Sequence, residues 1–315
     1  MQRSRNIKLL GLLVALILAT MLAWLATRPE DKLKISRSIF AYENPSAINR
    51  VTFTGNNDTV ELIYNGRQWK VNGQYEADPQ RISVLFAILK QMRVRRRVAK
   101  QQQGVIVERF KNDGMEVAFF EGDDKVHDFY VYGEEESRLT YVAESPESPA
   151  YIVEIPGYRS YLAGIYQLDK NGWRNPVAFD INWANLQSVK VIYPGREENS
   201  FDVVYGNSFY KISQLTATDT TKLTDFLDDV SLLYVNDYLN EDEEEQYSQI
   251  IKAIPQASVQ VTDVAGRIHT LEVYDVLPDN RQIMGRIDST DYVILNLNET
   301  RKILRPKSFF EKKKE

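Results

Sequence analysis

GRQWKVNGQYEADPQRISVLFAILKQM, residues 66–92, is the stretch whose reading decides the fold. Asn65-Gly66 is a tight-turn signal between two alternating apolar runs, near 59–64 and 67–72, which read as paired strands. Asp78 then suits a helix N-cap and Pro79 a first helical turn. Ile82, Leu85, Leu89 and Met92 recur at three- and four-residue spacing, so one face of that helix is apolar. A strand hairpin followed at once by a one-faced helix predicts an antiparallel sheet with a helix laid across it.

The pattern returns further along the chain. NSFYKISQLTATDTTKLTDFLDDV, residues 207–230, aligns at an offset of 141, with Tyr210-Lys211-Ile212 on Trp69-Lys70-Val71 and Asp219 on Asp78. Leu223, Phe226, Leu227 and Val230 repeat the apolar helix face. Downstream, Val117, Phe119, His127, Phe129 and Val131 fall on Val259, Val261, His269, Leu271 and Val273 at offset 142. Strands are expected at 115–121, 126–132, 139–143 and 150–154, and again at 257–263, 268–274, 283–288 and 291–295. The fold class read from this is α+β: two tandem repeated units, 40–157 and 186–300, each an antiparallel sheet with a covering helix. Residues 158–185 form a connecting segment with a short helix near Tyr161, Leu162, Ile165 and Tyr166. A further helix is expected from about Asp242 to Ala253, its acidic start favoured by the helix dipole. Residues 301–315 read as a charged tail.

Upstream lies an unbroken apolar run, Leu9 to Ala26, without a charge. As a helix it spans roughly 27 Å, close to the hydrocarbon thickness of a bilayer. It exceeds the apolar core of a typical signal peptide, so it reads as an uncleaved transmembrane anchor. Arg3, Arg5 and Lys8 mark residues 1–8 as a cytoplasmic tail, residues 27–39 as a linker and the remainder as periplasmic in a bacterium. Removing those three positive charges from the net −5 leaves −8 for residues 27–315, which argues against nucleic acid as a partner. The absence of cysteine excludes disulfides, thiolate nucleophiles and a lipoprotein anchor.

No arrangement that chemistry requires is found: no glycine-rich phosphate loop, no nucleophile elbow, no paired metal-ligand histidines. No catalytic residue, cofactor or metal ligand is expected. Two sets of residues are candidates for recognition. Tyr158, Tyr161, Tyr166 and Trp173 are aromatic residues of the kind favoured at protein interfaces, or else they pack the seam between the repeats. Arg93, Arg95, Arg96 and Arg97 follow a helix end, either as solvated strand residues or as a patch for an anionic headgroup or acidic partner.

GRQWKVNGQYEADPQRISVLFAIL, LTYVAE with YIVEI, WRNPVAFDINWANLQSVKV and NSFYKISQLTATDTTKLTDFL, behind a single N-terminal anchor, together resemble the bacterial family known as domain of unknown function 4340. The likeness covers roughly residues 40–300. It implies an envelope component that accompanies ABC-type transport systems of the gliding-motility kind, and it carries over no catalytic or binding residue. The second unit departs from the pattern at Tyr210, where tryptophan is usual. The expectation is thus a non-enzymatic, inner-membrane-anchored periplasmic accessory or scaffold protein docking an envelope partner, plausibly ABC-type transporter subunits. A periplasmic ligand- or glycan-binding module with a cleft between the repeats is the alternative, and a hydrolase of envelope polymers a further one.

Overall fold

The computed structural model describes residues 11, 13–23, 36–55, 58–158, 161–206, 208–278 and 280–312. Residues 13–23 are helical and exposed. Among the described residues, no helix is long and apolar enough to cross a membrane. The rest of the span expected at 9–26, namely residues 9, 10, 12 and 24–26, lies outside the described residues, as does the expected tail at 1–8.

The first half runs β1 (Arg50–Thr54), β2 (Thr59–Tyr64), β3 (Trp69–Val71), β4 (Tyr75–Glu76), α1 (Pro79–Gln91), β5 (Arg93–Arg97), α2 (Lys100–Asp113), β6 (Met115–Glu121), β7 (Asp124–Glu134), β8 (Leu139–Ala143) and β9 (Tyr151–Glu154). The second runs β10 (Leu186–Ile192), β11 (Phe201–Tyr205), β12 (Tyr210–Ile212), α3 (Thr220–Ser231), β13 (Val235–Tyr238), α4 (Glu241–Gln246), α5 (Ser248–Ile251), β14 (Ala257–Asp263), β15 (Ile268–Val276), β16 (Gln282–Ile287), β17 (Asp291–Asn296) and α6 (Leu297–Ile303). The strands form two antiparallel sheets. Their orders are β4-β3-β2-β1-β6-β7-β8-β9-β5 and β12-β11-β10-β14-β15-β16-β17-β13. Taken from β3 and β12 onward, the two orders are the same, including the return of the post-helix strand, β5 or β13, to the far edge.

Local chemistry sets the two main helices. The Asp78 carboxylate accepts from the N–H groups of Gln80 at 2.8 Å and Arg81 at 3.4 Å, and Pro79 occupies the first turn of α1. Asp219 caps α3 by accepting from Lys222 N at 3.2 Å. Ile82, Leu85, Ile88 and Leu89 turn into the first core with Val51, Phe53, Leu62, Val117 and Phe119. Leu223, Phe226, Leu227 and Val230 do the same in the second, against Val189, Val203, Val259 and Leu271.

Each sheet is covered on both faces, where one covering helix was expected. Ile106 and Phe110 of α2 cover Tyr132, Tyr141 and Ile152 on the reverse face of the first sheet. On the second, Tyr247 and Ile250 cover Tyr274, Met284 and Ile294. The reason lies in β8 and β9, LTYVA and YIVE, where Thr140 to Ala143 and Tyr151 to Val153 are all buried, so both faces need a partner. The expected helix at 242–253 is split into α4 and α5. Asn240 and Glu243 close a reciprocal capping box at its start, which accounts for the acidic run as helix-start chemistry.

The charged tail expected at 301–315 is corrected through residue 310. Ile303 and Phe310 are fully buried in the second core, with Phe310 packed at 5.1 Å from the Phe201 ring and 5.3 Å from that of Phe226. Residues 313–315 lie outside the described residues. The linker expected to run to residue 39 ends earlier, because Val94 donates to the Arg37 carbonyl at 2.7 Å.

Candidate functional site

The seam between the halves is closed by the connecting segment. Asn175 N donates to Glu76 O at the outer edge of β4, and Val235 N of β13 donates to Pro176 O. Bridges Ala77 to Arg174 and Val177 to Tyr234 complete the link, so residues 174–177 join one edge of each sheet. At its centre the Arg174 guanidinium lies between the Tyr75 and Tyr238 rings, 3.8 and 3.7 Å from their centroids, and donates to Asp291 Oδ1 at 2.9 Å. Asn171 Nδ2 donates to the Tyr238 carbonyl and the Tyr238 hydroxyl donates to the Asn175 carbonyl, both at 2.8 Å, across the joint. Burial and the neighbouring Glu243 and Asp169 raise the Asp237 carboxyl above its ordinary value. At this joint, the seam where a ligand-binding reading expected a cleft, the space between Tyr75 and Tyr238 is occupied by the Arg174 guanidinium.

Of the four candidate aromatics, two are removed from the surface. Trp173 and Tyr166 are fully buried in the first core, where Trp173 stacks on Phe53 at 5.2 Å and Tyr166 meets Phe129 edge-on at 5.6 Å. Neither the Tyr166 hydroxyl nor the Trp173 indole N–H has a partner among the described residues, and burial raises the Tyr166 hydroxyl well above its ordinary value. Their reading as docking residues is corrected: they pack the connector onto the sheet, against Phe53 of β1 and Phe129 of β7. Tyr161 is half-buried, lies against Gly133 of β7 and donates to Gln167 Oε1 at 2.8 Å. Tyr158 alone is freely exposed, at 69%.

The four arginines form the terminal strand β5, at the free end of the first sheet's strand order. Arg93 folds back onto the helix end, donating to the carbonyls of Lys90 and Met92. Arg95 sits at a bulge and pairs with Glu154 at 3.5 Å. Arg96 and Arg97 are exposed and make no ion pair among the described residues.

Tyr158 and Arg95, from the two separate candidate sets, line one groove. It has a volume of about 820 Å³ and lies at the end of the first sheet formed by β5, β8 and β9. Leu139, Ile152 and Ile155 form part of its lining, with Arg138 and Glu154 beside them. Arg138 adopts a left-handed backbone, φ 53°, in the β7–β8 turn. Glu154 is the one carboxylate in this described lining. Neither Arg138 nor the groove was singled out from sequence. The available signal was the apolar content of both faces of β8 and β9.

The two histidines at equivalent positions have different surroundings. His127 Nε2 bonds the Phe40 carbonyl at 3.1 Å, within a ring cluster of Tyr42, Phe119 and Phe129. His269 Nδ1 lies 3.1 Å from Asp288 Oδ2. Among the described residues no three His, Cys, Asp or Glu side chains gather as a metal site.

A family model described as a domain of unknown function, DUF4340, matches residues 69–249, more than half of the 315 residues. No curated protein matches the chain.

Proposed function

The chain belongs to the DUF4340 family, and we propose that it is a non-enzymatic, membrane-anchored periplasmic accessory protein that docks an envelope partner, the subunits of an ABC-type transport complex. The observation that carries this reading is the groove at the outer end of the first sheet. Exposed Tyr158, apolar Leu139 and Ile152, and two arginines meet there beside a terminal strand. Aromatic and arginine side chains around an apolar floor are the composition of protein interfaces. A groove with a single carboxylate supports recognition over the paired-carboxylate hydrolysis of polymers.

The strand orders, matching from β3 and β12 onward, support a second part of the proposal, that the two halves arose by duplication. The groove then belongs to one copy alone, since the corresponding edge of the second sheet, β13, is occupied by the connector. One half docks and the other is held to it through Arg174.

Crosslinked native membranes test the docking role. Full-length chain and a Leu139→Glu/Tyr158→Ala variant are purified side by side and co-purifying proteins quantified. Envelope transport subunits recovered with the natural chain should be depleted at least tenfold with the variant. Equal recovery with both would remove the groove from the account.

A further inference from the structure

The arginine edge of the first sheet lies beside the point where the chain arrives from the apolar run. Val94 of β5 donates to the Arg37 carbonyl at 2.7 Å, so residue 37 is fastened to this strand. From residue 26, the end of the run, to residue 37 is 11 steps, which can span at most about 40 Å. Around that point the surface is basic. Arg37, Lys90, Arg96, Arg97 and Lys100 are all exposed, and Arg96 and Arg97 make no ion pair among the described residues. Ile39, an exposed apolar residue at 36%, stands next to them. Four arginines in the five residues of an edge strand also disfavour pairing with the same edge of a second copy, since like charges would face each other.

We propose that this edge is a lipid-facing surface: Arg96 and Arg97, with Arg37, Lys90 and Lys100 around them, bind the anionic headgroups of the bilayer that holds residues 9–26. The proposal rests on the anchor reading above. The linker tethers the edge within reach of the leaflet, and each cation near an anionic surface adds attraction that falls off within a Debye length. Headgroup binding turns a flexible tether into a fixed orientation. It also places the groove, on the adjoining face of the same strands, next to the membrane, where a partner with membrane-embedded subunits presents its exterior loops.

Full-length chain carries no cysteine, so a single Gln91→Cys or Val264→Cys substitution takes one fluorophore beside the edge or at the exposed β14–β15 turn of the second half. Each labelled chain is incorporated into vesicles of phosphatidylcholine alone or mixed with phosphatidylglycerol, and quenching by headgroup spin-labelled lipid is measured. Position 91 should be quenched in the mixed vesicles, more weakly in neutral ones, and position 264 in neither. The Arg96→Gln/Arg97→Gln pair should lower the equilibrium constant for headgroup binding roughly thirtyfold, on the scale of two surface cations. Quenching at 91 that is equal in both lipids and unchanged by the double substitution would overturn the proposal. Recovery with neutral vesicles reads the anchor by itself. A chain that binds only the mixed vesicles, and is released by salt, keeps the arginine edge and removes the anchor; a chain that floats free of both removes both.

Discussion

Arg174→Ala is the perturbation that bears hardest on how the two halves are joined. Its guanidinium, in a residue only 8% exposed, is stacked between Tyr75 of the first half and Tyr238 of the second and is paired with Asp291. A desolvated cation over an aromatic ring contributes roughly 0.5–2 kcal/mol, so two such contacts are set at about 2 kcal/mol. Truncation also strands the Asp291 carboxylate, which is a quarter exposed and partly rehydrated, at a cost of about 1–2 kcal/mol. The expected loss is about 3–4 kcal/mol. Arg174→Lys keeps the charge but not the flat stacking surface, and should lose about half of that. Adding Asp291→Asn to Arg174→Ala should recover about 1 kcal/mol, because the stranded charge is gone. Urea unfolding separates the halves, since Trp69 and Trp173 sit in the first and Trp183 in the second. The natural chain should unfold with coincident fluorescence and circular-dichroism transitions, and Arg174→Ala with transitions that split. A variant within 1 kcal/mol of the natural chain and still coincident would refute the role assigned to this joint.

Other consequences are equally open to measurement. Tyr166→Phe removes a fully buried hydroxyl without a protein partner and should be neutral or stabilising by about 1 kcal/mol in urea unfolding, whereas Trp173→Ala should cost about 3–5 kcal/mol. Gly133→Ala would drive its methyl into the Tyr161 hydroxyl and Ala163, and should cost about 1–3 kcal/mol; pairing it with Tyr161→Ala should recover part of the loss. The Asp263 carboxyl is held below its ordinary value by the N–H groups of Arg267 and Ala265 and by the Arg267 guanidinium. Its contribution is therefore complete above the ordinary carboxylate pKa of about 4 and is lost as pH falls through the lowered folded value. Asp263→Asn should flatten the acid limb of a stability-versus-pH curve and lower stability at neutral pH.

Much of the fold was legible in local pattern, most plainly in β14, which alternates buried and half-buried residues along its whole length. β6, β8 and β14 fall on the residues expected from periodicity, and Asp78 and Asp219 cap the two helices as their chemistry suggests. What escaped has identifiable causes. α2 buries only Ile106 and Phe110, a stripe too thin to stand out against its polar residues, so its helix and the second covered face were missed together. Phe310 lies in a lysine-rich terminus, and nothing in local composition places it in a core over 80 residues away in sequence, against Phe226. Tyr166 and Trp173 carry the composition of an interface, but the interface they make is with their own sheet. The groove depends on three strands and a turn meeting at one end, an arrangement with no linear spacing. Arg138 enters it only through the conformation of the β7–β8 turn.

The docking claim is tested most directly by placing a photo-crosslinking side chain at position 158 of the full-length protein in its own cells, with position 264 of the second half as the exposed control. The account predicts discrete adducts at 158 to a subunit of an envelope transport complex, abolished by Arg138→Glu, and none of these at 264. The same adducts from both positions, or no protein adduct at 158, would contradict it.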